Sequence, residues 1–230
     1  MRRRSRLTTL LLAGTCAALS AAASSGAPAR AQASVASPSA LRSSVPPAWS
    51  AFAATWAGIV AYSATVTAFE RAGARAETLV VDYRFRKPSS VTARIISGPN
   101  PGAVLVWDGG PTMSAHLGSG LMYVLQKRLS LHDPSATSPR GSSIDQLSFA
   151  YVLEHGQSTP GTVTQRLGEV VDGVATQAVE IVPLVAADDG GLTREVVELS
   201  TTTHVPVRIL GYEGLTLVRK IDFAKVILDR

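Results

Sequence analysis

Four histidines, at positions 116, 132, 155 and 204, are the residues best suited to proton transfer or metal ligation in this 230-residue chain. No two stand within four residues of each other, so a metal site would have to gather ligands from distant segments. The sequence contains no His-Glu-x-x-His, no Gly-x-Ser-x-Gly, no phosphate loop, no Gly-x-Gly-x-x-Gly and no Cys-x-x-Cys. A dispersed nucleophile arrangement can be drawn with His155 near Ser158 and either Asp133 or Asp145, but no strained nucleophile turn supports it. The carboxylates Glu70, Asp82 and Asp108 fall in segments that also carry Arg84, Arg86 and Arg94. That pattern predicts cross-strand ion pairs on a solvated face rather than acid–base work. No catalytic residue, metal or cofactor is expected.

Charge narrows the partners. The chain holds 22 basic and 17 acidic residues. Five of the basic ones, Arg2, Arg3, Arg4, Arg6 and Arg30, precede Ser34 with no acid among them, leaving 17 of each sign in residues 34–230. No basic run follows Arg30, so a nucleic-acid partner is not expected.

The first 33 residues have the three parts of a secretory signal peptide: basic Met1 to Arg6, apolar Leu7 to Ala23, and small residues ending in Ala29-Arg30-Ala31 and Ala31-Gln32-Ala33. Cleavage near Ala31 or Ala33 predicts a periplasmic or otherwise exported protein, peripheral to the membrane rather than spanning it. It would also discard Cys16, the only cysteine, whose surroundings Ala13-Gly14-Thr15-Cys16 fit a lipidation box poorly. Residues 34–47 are mostly Ser, Ala and Pro and read as a flexible leader. A single domain is expected over residues 48–230.

Within that domain Trp49, Phe52, Ala53, Trp56, Ile59 and Val60 recur at helical spacing behind Pro46-Pro47. Period-two alternation then predicts strands from Tyr62 to Arg71, around Leu79 to Phe85, from Val91 to Ser97 and from Ala103 to Trp107. The short connections between them require an antiparallel meander. Residues Thr112 to Gly161 break the pattern. There Ser143 and Gln146 are spaced as a capping box for a helix running to about His155, with Ile144, Leu147, Ala150 and Tyr151 as its apolar stripe. Strands resume as Thr162 to Val171, Ala175 to Leu184, Arg194 to Thr201, Val205 to Gly211 and Leu215 to Ile227. The expected total is nine or ten strands and two or three helices, a mainly β, α+β fold.

Several segments carry a family likeness in their order along the chain: Phe69-Glu70-Arg71, Tyr83-Arg84-Phe85-Arg86-Lys87-Pro88, Val91-Thr92-Ala93-Arg94, Gly98-Pro99-Asn100-Pro101-Gly102, and Val205-Pro206-Val207-Arg208-Ile209 with Tyr212. Over about Trp49 to Phe223 the chain resembles an exported bacterial family of unknown function that is similar to the LolA-like lipoprotein carriers of the outer-membrane lipoprotein-sorting superfamily. The resemblance implies an incomplete antiparallel β-barrel wrapped round helices, with an apolar cavity that in the carriers accepts acyl chains. It transfers no individual ligand residue.

The function expected is therefore a non-catalytic carrier or sensor for acyl chains, lipid or a lipidated protein. Leu79, Val81, Tyr83, Phe85, Val91, Ile95, Leu105 and Trp107 are the candidate lining residues, chosen because they lie on the more apolar strand faces. The alternative is a module that binds another envelope protein through a sheet edge or the loop Thr112 to Ser143. A hydrolase with a dispersed site is a third reading.

Overall fold

Alternation of apolar and polar residues places most of the domain in strands whose inward faces must share one cover. The computed structural model describes residues 45–116 and 126–230, which fall in one compact unit. The expected signal peptide, the leader as far as residue 44 and the stretch 117–125 lie outside them. The strands are β1 (Ala61–Ala72), β2 (Arg75–Arg86), β3 (Ser90–Ser97), β4 (Val104–Asp108), β5 (Thr112–His116), β6 (Gln126–Ser130), β7 (Gly161–Val171), β8 (Val174–Pro183), β9 (Arg194–Ser200), β10 (Pro206–Glu213) and β11 (Thr216–Asp229). They form one sheet in the order β6-β5-β4-β3-β2-β1-β11-β10-β9-β8-β7, with every neighbouring pair antiparallel. The first and last strands pair at the centre and two meanders spread from them as arms. Their outer strands, β6 and β7, are not paired with each other, so the barrel is incomplete.

Two strands were not expected. Instead of breaking the meander after Gly110, the chain extends it with β5 and β6. In β5 only Met113 and Ala115 are buried, and in β6 only Leu129, too little apolar content for a period-two signal.

The helices α1 (Pro47–Ala57) and α2 (Phe149–Ser158) lie against the concave face. α1 starts with proline at its first position, as expected, but ends before Ile59 and Val60. The expected capping box is not the start of α2. Ser143 bonds Asp145 Oδ1 at 2.5 Å and precedes a 3₁₀ turn, Ile144–Leu147, that buries Ile144 and Leu147. The helix begins at Ser148, whose hydroxyl accepts the Tyr151 N–H at 3.1 Å. The restart lets the chain bury two large side chains before α2 takes its own direction.

Aromatic rings join helices to sheet. Phe149 stacks on Tyr62 with centroids 4.1 Å apart and meets Phe223 edge-on at 5.1 Å. Trp56 of α1 lies 5.5 Å from Phe85, and the Tyr62 hydroxyl accepts the Phe149 N–H at 3.1 Å. Phe149 is fully buried among both helices, β1 and β11. Its replacement in Phe149→Ala should cost about 3–5 kcal/mol in urea unfolding; a loss below about 1 kcal/mol would show that the cluster is not what holds α2 down.

Candidate functional site

The concave face divides into three regions along the strands. At one end it is filled by the aromatic cluster under α1 and α2. In the middle of the β2–β6 arm it is hollow. Towards the other end it is crossed by charge.

The hollow is a cavity of about 420 Å³ between the inner face of β1–β6 and the chain from Pro134 to Leu147. Its apolar wall combines branched residues with small ones: Ala68, Ala103 and Ala115 leave space that larger side chains occupy elsewhere on the face. Arg75, Glu77 and Lys127 stand on its margin. Of the eight residues selected from the sequence, Leu79, Val81, Ile95 and Leu105 border this cavity. The other four do not. Tyr83 is buried with its hydroxyl 3.3 Å from the Ile144 carbonyl, Phe85 packs on Trp56 and Tyr62, and Val91 is sealed in the core. Trp107 donates its indole N–H to the Gly110 carbonyl at 2.6 Å. Alternation selected the correct face but could not say which part of it the helices cover. It also passed over Leu129, Ile144 and Leu147, which line the cavity from the unexpected strand and the 3₁₀ turn.

The charged region is a row in register across five strands: Glu77 faces Glu70, Glu70 faces Arg219, Arg219 faces Gly211 and Gly211 faces Glu195. Glu70, Arg219 and Glu195 are buried. Arg219 Nε is 3.5 Å from Glu70 and its NH1 3.7 Å from Glu195. Gly211 makes the crossing possible, since a Cβ there would stand 3.0 Å from the Arg219 Cβ. The Glu70 carboxylate also accepts the Ser138 hydroxyl and, at 2.6 Å, the Ser142 hydroxyl, which fixes the chain over the cavity. The ion pairs expected between Glu70, Asp82, Asp108 and Arg84, Arg86, Arg94 do not form: Glu70 turns inward to Arg219, and Asp108 accepts a hydrogen bond from Ser90 instead.

His155 adjoins this row, but not as a nucleophile's base. Its Nε2 is 2.9 Å from Asp189 Oδ1. Ser158 bonds the His155 backbone carbonyl, while Asp133 and Asp145 are held by Ser135 and Ser143. The arrangement of Ser158, His155 and Asp133 or Asp145 is thus not assembled. Among the described residues no group of three or more His, Cys, Asp or Glu side chains could hold a metal ion, and no helix is long and apolar enough to cross a membrane.

Asp189 raises the His155 pKa above its ordinary 6.5, against the opposing effect of burial; Glu195 adds to the rise and Arg219 opposes it. Burial pushes Glu195 up as well, against Arg219 and His155. For His155 the protonated ring stabilises the fold, so its contribution is complete below the unfolded value and is lost as pH rises through the raised folded value. Wild-type stability should therefore fall relative to that of His155→Gln as pH rises above the ordinary histidine value of 6.5, read from urea midpoints; parallel curves would contradict the pairing. Arg219→Met leaves two buried carboxylates without their cation and should cost about 3–5 kcal/mol in the same assay, whereas a loss near zero would mean the row is solvated.

No family model and no curated protein sequence matches the chain. Solved structures do resemble it. The lipoprotein LppX of Mycobacterium tuberculosis is similar with a TM-score of 0.44 at 14% identity, over 79% of this chain and 91% of that one. A LolA-superfamily protein from Nitrosomonas europaea gives 0.41 at 11% identity, over 81% and 95%. MucB of Pseudomonas aeruginosa, in its complex with MucA, gives 0.39 at 12% identity, over 80% and 58%. These are likenesses of overall chain course, and no residue's role is carried over from them.

Proposed function

We propose that the protein is an exported, non-catalytic carrier or sensor that holds the apolar chain of a lipid or of a lipidated protein in the cavity of the β2–β6 arm. The observation that carries this reading is the cavity itself, whose wall is mostly apolar, with Glu70, Ser138 and Ser142 at its polar end and Arg75, Glu77 and Lys127 also in its lining. A methylene group takes up about as much room as a water molecule in the liquid, roughly 30 Å³, so the volume suits about a dozen such groups. At about 0.8 kcal/mol per buried CH₂, a chain of that size would gain on the order of 10 kcal/mol before the cost of immobilising it. Leu79, Val81, Ile95 and Leu105 are its proposed contacts.

A second reading, binding to another envelope protein, is favoured by β7, the terminal strand of the sheet among the described residues, where Leu167 and Val170 are 84% and 71% exposed. Variants of β7 that lose partner capture but keep chain binding would favour it.

The test is titration of a fluorescent fatty acid into protein purified after expression of the full chain, with organic extraction of any co-purified lipid. Leu105→Asp places a charge in the wall and Ala115→Phe fills the space. Each should weaken binding by at least about tenfold while circular dichroism stays native. Unchanged affinity in both folded variants would remove the cavity as the binding site.

A further inference from the structure

The neutral total of residues 34–230 conceals a separation of charge. Residues 75–130, which include β2–β6, hold seven basic and three acidic residues, a net of +4. Residues 131–230, which include α2 and β7–β11, hold eight basic and thirteen acidic residues, a net of −5. One arm of the sheet is cationic and the other anionic.

The register shows where the cationic charge lies. Tyr83, Phe85, Val91 and Ile95 face inward, so alternation sends Arg84, Arg86 and Arg94 to the outer face. Arg128 shares that face, because the ladder runs from Arg84 through Thr92, Val106 and Ser114 to Arg128. Four strand spacings separate the ends of this row, roughly 19 Å, while Arg84 and Arg86 are about 7 Å apart along β2. All four arginines are exposed, and none makes a hydrogen bond or ion pair with a described residue. On the other arm, by contrast, Arg194, Arg208 and Arg219 are each paired with acids. The residues between the four, Ser90, Thr92, Val106 and Ser114, carry no charge. Asp82 stands directly across from Arg94 and two residues from Arg84 on this face without forming an ion pair with either, and Asp108 is bonded to Ser90, so the four arginines outnumber the acids of the face by two.

We propose that the outer face of the β2–β6 arm docks on an anionic, phosphate-bearing lipid surface through Arg84, Arg86, Arg94 and Arg128. Each guanidinium presents a planar fork of donors that matches phosphate oxygens, and among the described residues none of the four is engaged. The four are spread over a broad outer face of the sheet. Headgroups that move laterally can collect under such separated cations, whereas a bound acidic peptide would need a groove to hold its course. The strands that carry the arginines outward carry Leu79, Val81, Ile95 and Leu105 inward to the cavity. Docking would thus bring the cavity arm to a source of apolar chains. That consequence rests on the carrier reading; the docking itself does not.

The experiment is co-sedimentation of protein expressed from the full chain with vesicles of phosphatidylcholine alone or mixed with phosphatidylglycerol. Binding should require phosphatidylglycerol and weaken as salt rises. The fourfold variant Arg84→Gln, Arg86→Gln, Arg94→Gln, Arg128→Gln should lose roughly fivefold per arginine, several hundredfold in all. Circular dichroism should remain native, because none of these side chains has a hydrogen-bond or ion-pair partner among the described residues. Arg166→Gln with Lys225→Gln removes two exposed cations from the other arm and should leave binding unchanged. The proposal is overturned by absence of phosphatidylglycerol-dependent binding, by full binding in the folded fourfold variant, or by an equal loss in the control pair. Arginine-dependent binding to polyglutamate without binding to vesicles would overturn it in favour of an acidic protein partner. Uptake of fatty acid without vesicle binding removes the docking and leaves the carrier reading; vesicle binding without uptake does the reverse.

Discussion

One constraint governs the described residues: an open eleven-stranded sheet has more apolar concave surface than the two helices among them can cover. At about 4.8 Å per strand spacing the sheet extends close to 50 Å across its strands. Helices of 11 and 10 residues are only about 15 Å long. Curvature brings the arms closer to the helices without removing the mismatch. The fold resolves it unevenly, with the helices and their aromatic rings sealing the region over β1, β2 and β11, while a non-helical segment spans the β2–β6 arm. The hollow lies under that weaker cover, where Ala68, Ala103 and Ala115 place small side chains against the strands.

The charge row limits how far the apolar interior extends. Buried charges are costly unless paired and hydrogen-bonded, and here each buried carboxylate of the row has Arg219 beside it. Glu70 has two serine hydroxyls as well, and these come from the segment that covers the cavity. The row therefore links cover, sheet and His155 in one electrostatic unit. Such an arrangement specifies one position for a segment whose only regular structure is the short 3₁₀ turn at its end.

Legibility followed the strength of local periodicity. β1 to β3 and β7 to β11 were readable from alternating runs between Gly, Pro, Asn and Asp turns, and the short β4 from its unbroken apolar run Val104 to Trp107. β5 and β6 were not, because a five-residue strand with one or two inward apolar residues resembles a loop. The start of α2 was misplaced because Ser143 and Ser148 are both acceptable caps, and burial of Ile144 and Leu147 decides between them. In the candidate site, half of the selected residues border the cavity and half are covered, a difference that depends on where two helices rest and not on any property of the strands.

The sequence by itself determined the alternation, and with it the inward face of each long strand, the antiparallel connections and the absence of familiar catalytic motifs. These are local matters, settled by neighbours within a few residues. Only the tertiary structure decided which inward residues meet empty space, which carboxylate would leave the surface to pair with Arg219, and which arginines would stand together. Arg84 and Arg128 are 44 positions apart and form no basic run. They share a face because a meander converts separation along the chain into adjacency across it, and that depends on register, which no single segment contains.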